Sequence, residues 1–131
     1  MPIISVITSE HDQMIDITER VNKIVPAGFS GVCVLFSKHT TAALTINENA
    51  DPDVCSDMIC FLDQQVPWKS SLFRHFEGNS AAHIKASFFG FSQTVPVVNG
   101  KLSLGTWQGI YFCEFDGGRS REVEVTFIPG M

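Results

Sequence analysis

Two strand-like runs, residues 93–98 and 101–104, are separated by Asn99-Gly100, a dipeptide that readily adopts the positive φ angles of a two-residue hairpin turn. That hairpin commits its region of the chain to an antiparallel sheet. Further short runs rich in β-branched and aromatic residues lie at 3–8, 13–17, 32–36, 42–46, 109–116 and 121–128. Residues 9–12 read as the turn of an opening hairpin, and Gly117-Gly118 as the turn that joins the last two runs into another strand pair. In the final run the alternation Glu122-Val123-Glu124-Val125-Thr126-Phe127 predicts one buried and one exposed face.

Helical signals are fewer. Asp51-Pro52 supplies an N-cap and a first-position proline; beyond them Val54, Met58, Phe61, Leu62 and Val66 follow helical spacing, with Asp53, Asp57 and Gln64 on the other side. Thr18 reads as the cap of a short helix over 19–25, stopped by Pro26-Ala27-Gly28. Asn79-Ser80 can cap a helix over 81–89, with Gly90 as its stop. Many strands with about three short helices predict an α+β fold. The expected architecture is a single domain, 1–131, built on a mainly antiparallel β-sandwich or barrel-like sheet.

A chain of 131 residues with 44% hydrophobic and 18% charged residues can bury one full core. Its net charge of −5 gives no general attraction to nucleic acid or to an anionic membrane, so neither is an expected partner. The start of the chain lacks a basic region ahead of an apolar core, and no apolar run approaches the roughly 20 residues of a membrane span. Cys33, Cys55, Cys60 and Cys113 are too irregularly spaced for a disulfide scaffold or a structural zinc site and read as reduced thiols. A cytoplasmic location is the expectation.

Chemistry concentrates at the ends of these elements. His39 stands at the exit of the 32–36 strand, and Asn47 and Glu48 at the far end of the next one, before the Asp51-Pro52 helix start. His75, Asn79 and His83 are spaced four apart, but Gly78 and the capping character of Asn79 favour a loop followed by a helix start. There the unpaired backbone amides at the positive end of the helix suit a phosphate. His39, His75 and His83 with Glu48 and Asp57 could hold a divalent metal, Mg or Zn, although their spacing matches no ligand motif. They could equally act as general acids and bases, since an imidazole titrates close to neutrality. Arg119 and Arg121 are two apart, so on an extended segment both guanidinium groups project to one side and suit a phosphate or carboxylate. Trp107 and Gln108, after Gly105, read either as core packing or as a platform for a flat ring.

Taken together, His39-Thr40-Thr41-Ala42-Ala43, Asn47-Glu48-x-Ala50-Asp51-Pro52, His75-x-x-x-Asn79-x-x-x-His83, Gly105-Thr106-Trp107-Gln108 and Arg119-x-Arg121 resemble the YjbQ-like family, often labelled secondary thiamine-phosphate synthase. The resemblance spans nearly the whole chain. It implies a compact α+β homotrimer with a polar pocket near subunit contacts. The pocket members it implies are His39, Thr40, Asn47, Glu48, Asp57, His75, Asn79, His83, Gln108, Arg119 and Arg121. It also implies a weak or secondary activity that joins a pyrimidine diphosphate to a thiazole phosphate with loss of diphosphate. In that reaction the arginines and the Asn79 helix start would hold the diphosphate, Trp107 would carry the pyrimidine, and His75 or His83 would protonate the leaving oxygen. A proline commonly stands in the family where this chain has Gly118, which implies a looser turn ahead of Arg119. The reading from a different class is a non-enzymatic module that binds a metabolite or metal.

Overall fold

The computed structural model describes residues 2–131 and contains two antiparallel sheets that face each other across one core. The larger has the order β1-β8-β3-β5-β6, made of β1 (Ile3–Ile7), β8 (Ser120–Pro129), β3 (Gly31–Phe36), β5 (Ser92–Val98) and β6 (Lys101–Leu102). The smaller has the order β2-β7-β4, made of β2 (Gln13–Asp16), β7 (Gln108–Glu114) and β4 (Ala42–Glu48). Val6, Leu35, Val95, Val97, Val123 and Val125 of the first sheet meet Leu44, Ile110 and Phe112 of the second, all of them buried. Helix α1 (Thr18–Asn22) adds Val21 to that core.

The outer face of the smaller sheet is covered by helix α3 (Ser80–Phe89), whose Ala82 and Ala86 lie against Ala43, Cys113 and Phe115. Small side chains on both surfaces let the helix approach the sheet closely. Helix α2 (Pro52–Gln65) adds only partly buried Cys55 and Leu62 to this layer, and none of its residues is buried. Strand β7 is therefore covered on both faces, and every residue from Gly109 to Glu114 is buried. The α+β sandwich with three helices is the architecture the sequence predicts.

The Asn99-Gly100 hairpin forms as expected, with φ of 48° and 80° at the two turn residues and Val98 opposite Lys101. Asp51 caps α2 by accepting from the Asp53 amide at 2.9 Å. Thr18 is not a cap: its hydroxyl donates to Asp16 Oδ1 and accepts from the Ile110 amide, and the helix begins behind Ile17. The two expected strand pairs flanking 9–12 and Gly117-Gly118 do not form. Strand β1 pairs with β8 and β2 with β7, so residues 9–12 and 115–119 are crossovers between the sheets rather than hairpin turns. Alternation specifies which face of a strand is buried, not which strand lies beside it.

The two crossovers run together. Thr8 N–H donates to the Arg119 carbonyl at 2.9 Å, Arg119 N–H to Thr8 Oγ1 at 2.9 Å, and Gly117 N–H to the His11 carbonyl at 2.9 Å. The peptide between Gly117 and Gly118 is cis. At Gly118 a Cβ would stand 2.5 Å from the Thr8 carbonyl oxygen. At Gly117 a Cβ would come 2.2 Å from the Glu10 carbonyl oxygen and 2.8 Å from Glu114 Cγ. Gly117→Ala should therefore lower stability by about 1–3 kcal/mol through overpacking. A urea titration that leaves the midpoint of this variant unchanged would show that the crossovers yield at no cost.

Candidate functional site

Where the crossovers meet the exit of β3 and the start of α3, the surface opens into a cavity of about 410 Å³. The β3 exit contributes Lys38, His39, Thr40 and Thr41; the loop before α3 contributes His75 and Glu77; α3 and its start contribute His83 and Asn79; the second crossover contributes Arg119 and the start of β8 Arg121. The start of the loop 37–41 is held by bonds from Ser37 N–H to the Phe91 carbonyl at 2.8 Å and from Ser37 Oγ to the Ala42 carbonyl at 2.9 Å, and its end by one from Phe115 N–H to the Thr41 carbonyl at 3.1 Å. Three cationic side chains and one carboxylate, Glu77, thus line the cavity, and each cation has an acidic partner: Lys38 is paired with Glu124 at 2.8 Å, Arg119 with Asp116 and Arg121 with Glu114.

The arginines are held differently. Arg121, 4% exposed, forks onto the fully buried Glu114, with Nε donating to Oε1 at 2.8 Å and Nη2 to Oε2, while Nη2 also donates to Thr41 Oγ1 at 2.8 Å. Glu114 further accepts from Thr8 Oγ1 at 2.8 Å and from the Asp116 amide at 3.0 Å. Burial alone would raise the Glu114 pKa, but the bonds from Arg121, the Asp116 amide and Thr8 outweigh it and hold the carboxyl below its ordinary value. Arg119 is half exposed and bends back onto Asp116, with Nε donating to its carbonyl at 2.8 Å and Nη2 to Oδ2 at 2.9 Å.

His39 accepts the Glu122 N–H on Nε2 at 2.9 Å, which leaves its proton on Nδ1. Burial, helped by the nearby Arg121 charge, lowers its pKa, so His39 is neutral at pH 7. The rings of His75 and His83 lie edge to face with centroids 5.5 Å apart, and His75 Nε2 is 3.5 Å from Glu77 Oε1. Among the described residues no three His, Cys, Asp or Glu side chains come together as a metal centre needs. The metal set of His39, His75 and His83 is therefore not preformed, and the Nε2 of His39 is already engaged. Asn79 precedes α3 as expected, yet its side chain does not cap the helix: Nδ2 donates to Asp116 Oδ2 at 3.0 Å, and Oδ1 is buried without a partner.

Of the residues singled out in the sequence, His39, Thr40, His75, Asn79, His83, Arg119 and Arg121 converge on this cavity. Asn47, Glu48, Asp57, Trp107 and Gln108 do not. Strand β4 runs on through Glu48, which lies opposite Gln108, whereas the cavity end of the same ladder is Ala42 opposite Glu114. Six residues of extended chain separate these ends by roughly 20 Å. At the far end Asn47 Oδ1 accepts from the Glu48 amide, Gln108 Oε1 accepts from the Gly105 amide, and Trp107 is 64% exposed, so it is not a core residue. Asp57 is exposed on α2.

Glu114, Asp116, Lys38, Thr41 and Glu77 were missed from the sequence. For the ion pair a signal existed: period two puts Glu114 on the face of Ile110 and Phe112, and Arg121 on the face of Val123 and Val125. Two opposite charges, each ending a buried apolar face, point to a pair across the core. A larger cavity of about 1010 Å³ lies between α2 and the first crossover, with Lys85 of α3 in its lining. Its buried Lys85 is already neutralised by Asp12 at 2.8 Å and by Asp63. Burial alone would lower the Lys85 pKa, but those two carboxylates raise it instead.

Two facing antiparallel sheets, helices against one of them, and a cavity of cations and histidines where the strands cross over define a small α+β sandwich domain. The chain belongs to the YjbQ-like UPF0047 family, whose model, "UPF0047 protein YjbQ-like", matches residues 3–130. It is 56% identical over 116 residues to the UPF0047 protein YugU of Bacillus subtilis, covering 87% of this chain and 88% of that protein. A UPF0047 protein of Methanocaldococcus jannaschii is 48% identical, with 92% and 88% covered. Among solved structures, a YjbQ/UPF0047 family protein of Clostridium acetobutylicum superposes with a TM-score of 0.93 at 53% identity, covering 98% of this chain and 100% of that one. A conserved hypothetical protein of Thermus thermophilus also gives 0.93, at 37% identity and the same coverage. Among the described residues no helix is long and apolar enough to cross a membrane.

The Glu114–Arg121 pair makes a pH dependence testable. Because the folded carboxyl titrates below its ordinary 4.5, its contribution is present above that pH and is lost as pH falls through the lower folded value. Glu114→Gln strands a buried guanidinium and should cost about 3–5 kcal/mol at pH 7. The gap between variant and wild type in urea midpoint should narrow below pH ~4.5. A gap of constant size from pH 7 to pH 3 would contradict the linkage.

Proposed function

We propose that the cavity binds the phosphate or diphosphate group of a small phosphorylated heterocyclic substrate, and that the protein is a cytoplasmic homotrimeric transferase with thiamine-phosphate synthase activity. The carrying observation is the convergence of Lys38 from the β3 exit with Arg119 and Arg121 from the β8 entry, beside His75 and His83, in a chain of net charge −5. Guanidinium groups recognise phosphoryl oxygens through charge-assisted bonds. The first amides of α3, next to Asn79, add donors at the positive end of a helix.

In the reaction, the thiazole nitrogen bonds to the methylene carbon of the pyrimidine diphosphate as the carbon–oxygen bond breaks, and the electron pair leaves with diphosphate. Arg119 and Arg121 stabilise that departing charge, and His75 or His83 is placed to protonate it. Full-length thiamine-phosphate synthases of the usual kind use a TIM barrel, which 131 residues cannot build, so this activity would be secondary to a pocket shaped for another phosphorylated ligand. Asn47, Glu48, Trp107 and Gln108, roughly 20 Å along the ladder, take part only if a neighbouring subunit brings them to the cavity. Trimerisation is supported by α2, none of whose residues is buried and whose Phe61 is 59% exposed.

Calorimetry of diphosphate binding should give an affinity one to two orders of magnitude lower for Arg119→Ala than for wild type, since a charge-assisted bond contributes roughly 1.5–3 kcal/mol. Stability should change little, because Arg119 is half exposed. Unchanged affinity would remove Arg119 from the site. Complementation of a thiamine-phosphate synthase mutant by wild type but not by His83→Ala would support the transferase reading. Diphosphate binding without any complementation would leave a binding module.

A further inference from the structure

We propose that a groove adjoining the anion cavity is the subsite of the second substrate, and that it takes a small heteroaromatic phosphomonoester, with the ring on Leu72, Phe73 and Ile84 and the phosphate on Arg74. The proposal rests on the transferase reading above and gives the acceptor a place that reading leaves open.

Transfer to an acceptor nitrogen needs two ligands in contact. The new carbon–nitrogen bond forms as the donor's carbon–oxygen bond breaks and the electron pair leaves with diphosphate, so acceptor and leaving group lie on opposite sides of the reacting carbon. The cavity of about 410 Å³ that gathers Lys38, Arg119 and Arg121 serves the diphosphate. A second opening, of about 450 Å³, shares His75 and His83 with it. The two histidine rings, with centroids 5.5 Å apart, are thus a wall common to both. A volume in this range suits a ligand with one ring.

The far side of that wall has a different chemistry. Leu72, Phe73 and Ile84 line it, and Leu72 is 83% exposed, so this leucine contributes little to the core. Glu77 lines the first cavity but not the groove, whose lining holds no carboxylate at all. Arg74 stands there with an exposed side chain and, among the described residues, makes no hydrogen bond or ion pair. Lys38, Arg119 and Arg121 are each matched by a carboxylate, whereas the Arg74 charge is free for a ligand. An unmatched guanidinium beside apolar side chains suits an anion carried on an apolar body. Two turns hold the backbone that presents these groups: Leu72 N–H donates to Ser70 Oγ at 3.2 Å, Phe73 N–H to the Ser70 carbonyl at 3.1 Å and Gly78 N–H to the His75 carbonyl at 3.1 Å.

The test is calorimetry on the full chain at pH 7, with sodium diphosphate as the probe of the cavity and phenyl phosphate and methyl phosphate as probes of the groove. In saturating diphosphate, phenyl phosphate should still bind, at least roughly tenfold more tightly than methyl phosphate because of the ring it buries. Arg74→Gln should weaken phenyl phosphate by about tenfold or more and leave diphosphate binding unchanged. Leu72→Ser, at an exposed position that the fold tolerates, should bring phenyl and methyl phosphate closer together. Suppose diphosphate binds, but phenyl phosphate fails to bind beside it, shows no advantage over methyl phosphate, or is unaffected by Arg74→Gln. Each of these results would overturn the acceptor subsite and leave the anion reading standing. Failure of diphosphate itself to bind would overturn the anion reading, and the acceptor role with it.

Discussion

The bidentate pair between Glu114 and Arg121 joins the two sheets at the end where the cavity opens. Glu114 closes β7 in the smaller sheet, and Arg121 lies near the start of β8 in the larger one. A buried ion pair offsets its desolvation only when the remaining lone pairs and protons are satisfied. Here both carboxylate oxygens accept two bonds each, from Arg121 and Thr8 on one and from Arg121 and the Asp116 amide on the other. The pair therefore acts as a polar clasp at the end of a sandwich whose middle is aliphatic and aromatic.

From this clasp the rest of the site follows by short steps. Glu114 fixes the Asp116 amide; Asp116 then holds Asn79 at the start of α3 and Arg119 at the second crossover. Thr8 receives the Arg119 amide and so ties the first crossover to the second. His39 is oriented from the other side by the Glu122 amide, the residue next to Arg121. The cavity lining is thus drawn from four separate parts of the chain, yet one carboxylate lies within two or three contacts of Arg121, Thr41, Asn79 and Arg119. Removing Glu114 would disturb site and fold together, whereas Arg119 can be changed nearly alone.

Much of this was legible in the sequence. Local turn chemistry at Asn99-Gly100 and Asp51-Pro52 was decisive because each dipeptide satisfies its own backbone geometry without help from distant residues. Burial of Val123 and Val125 followed from period two. The strand partners were not legible, since runs close in sequence, such as 3–8 and 13–17, cross to different sheets and meet partners roughly a hundred residues away. Side-chain capping failed at Thr18 because the Ile110 amide takes its hydroxyl oxygen, and at Asn79 because the bond from Nδ2 to Asp116 orients the amide and leaves Oδ1 without a partner. The site residues divided for a simpler reason. His39 and Glu48 flank the same strand, and a strand carries its two ends apart with every residue it adds.

The two arginines then differ in what they can contribute. Arg121 is immobile: its Nε and Nη2 donors are committed to Glu114 and Thr41, and its charge is largely spent on a partner behind it. The direction of the remaining Nη1 donors is fixed by the clasp, because a guanidinium group is planar. Arg119 keeps about half of its side-chain surface in solvent and is tethered only to Asp116, so it can swing with little loss of packing. His39 adds no positive charge near neutral pH, because burial and the Arg121 charge both disfavour its protonated form. One arginine is thus a fixed template and the other an adjustable arm, while Glu114 and Asp116, the acidic groups behind the two arginines, are engaged with the guanidinium groups they orient. In a protein of net negative charge, such an arrangement lets the direction of the donors, more than the total charge, decide what the cavity accepts.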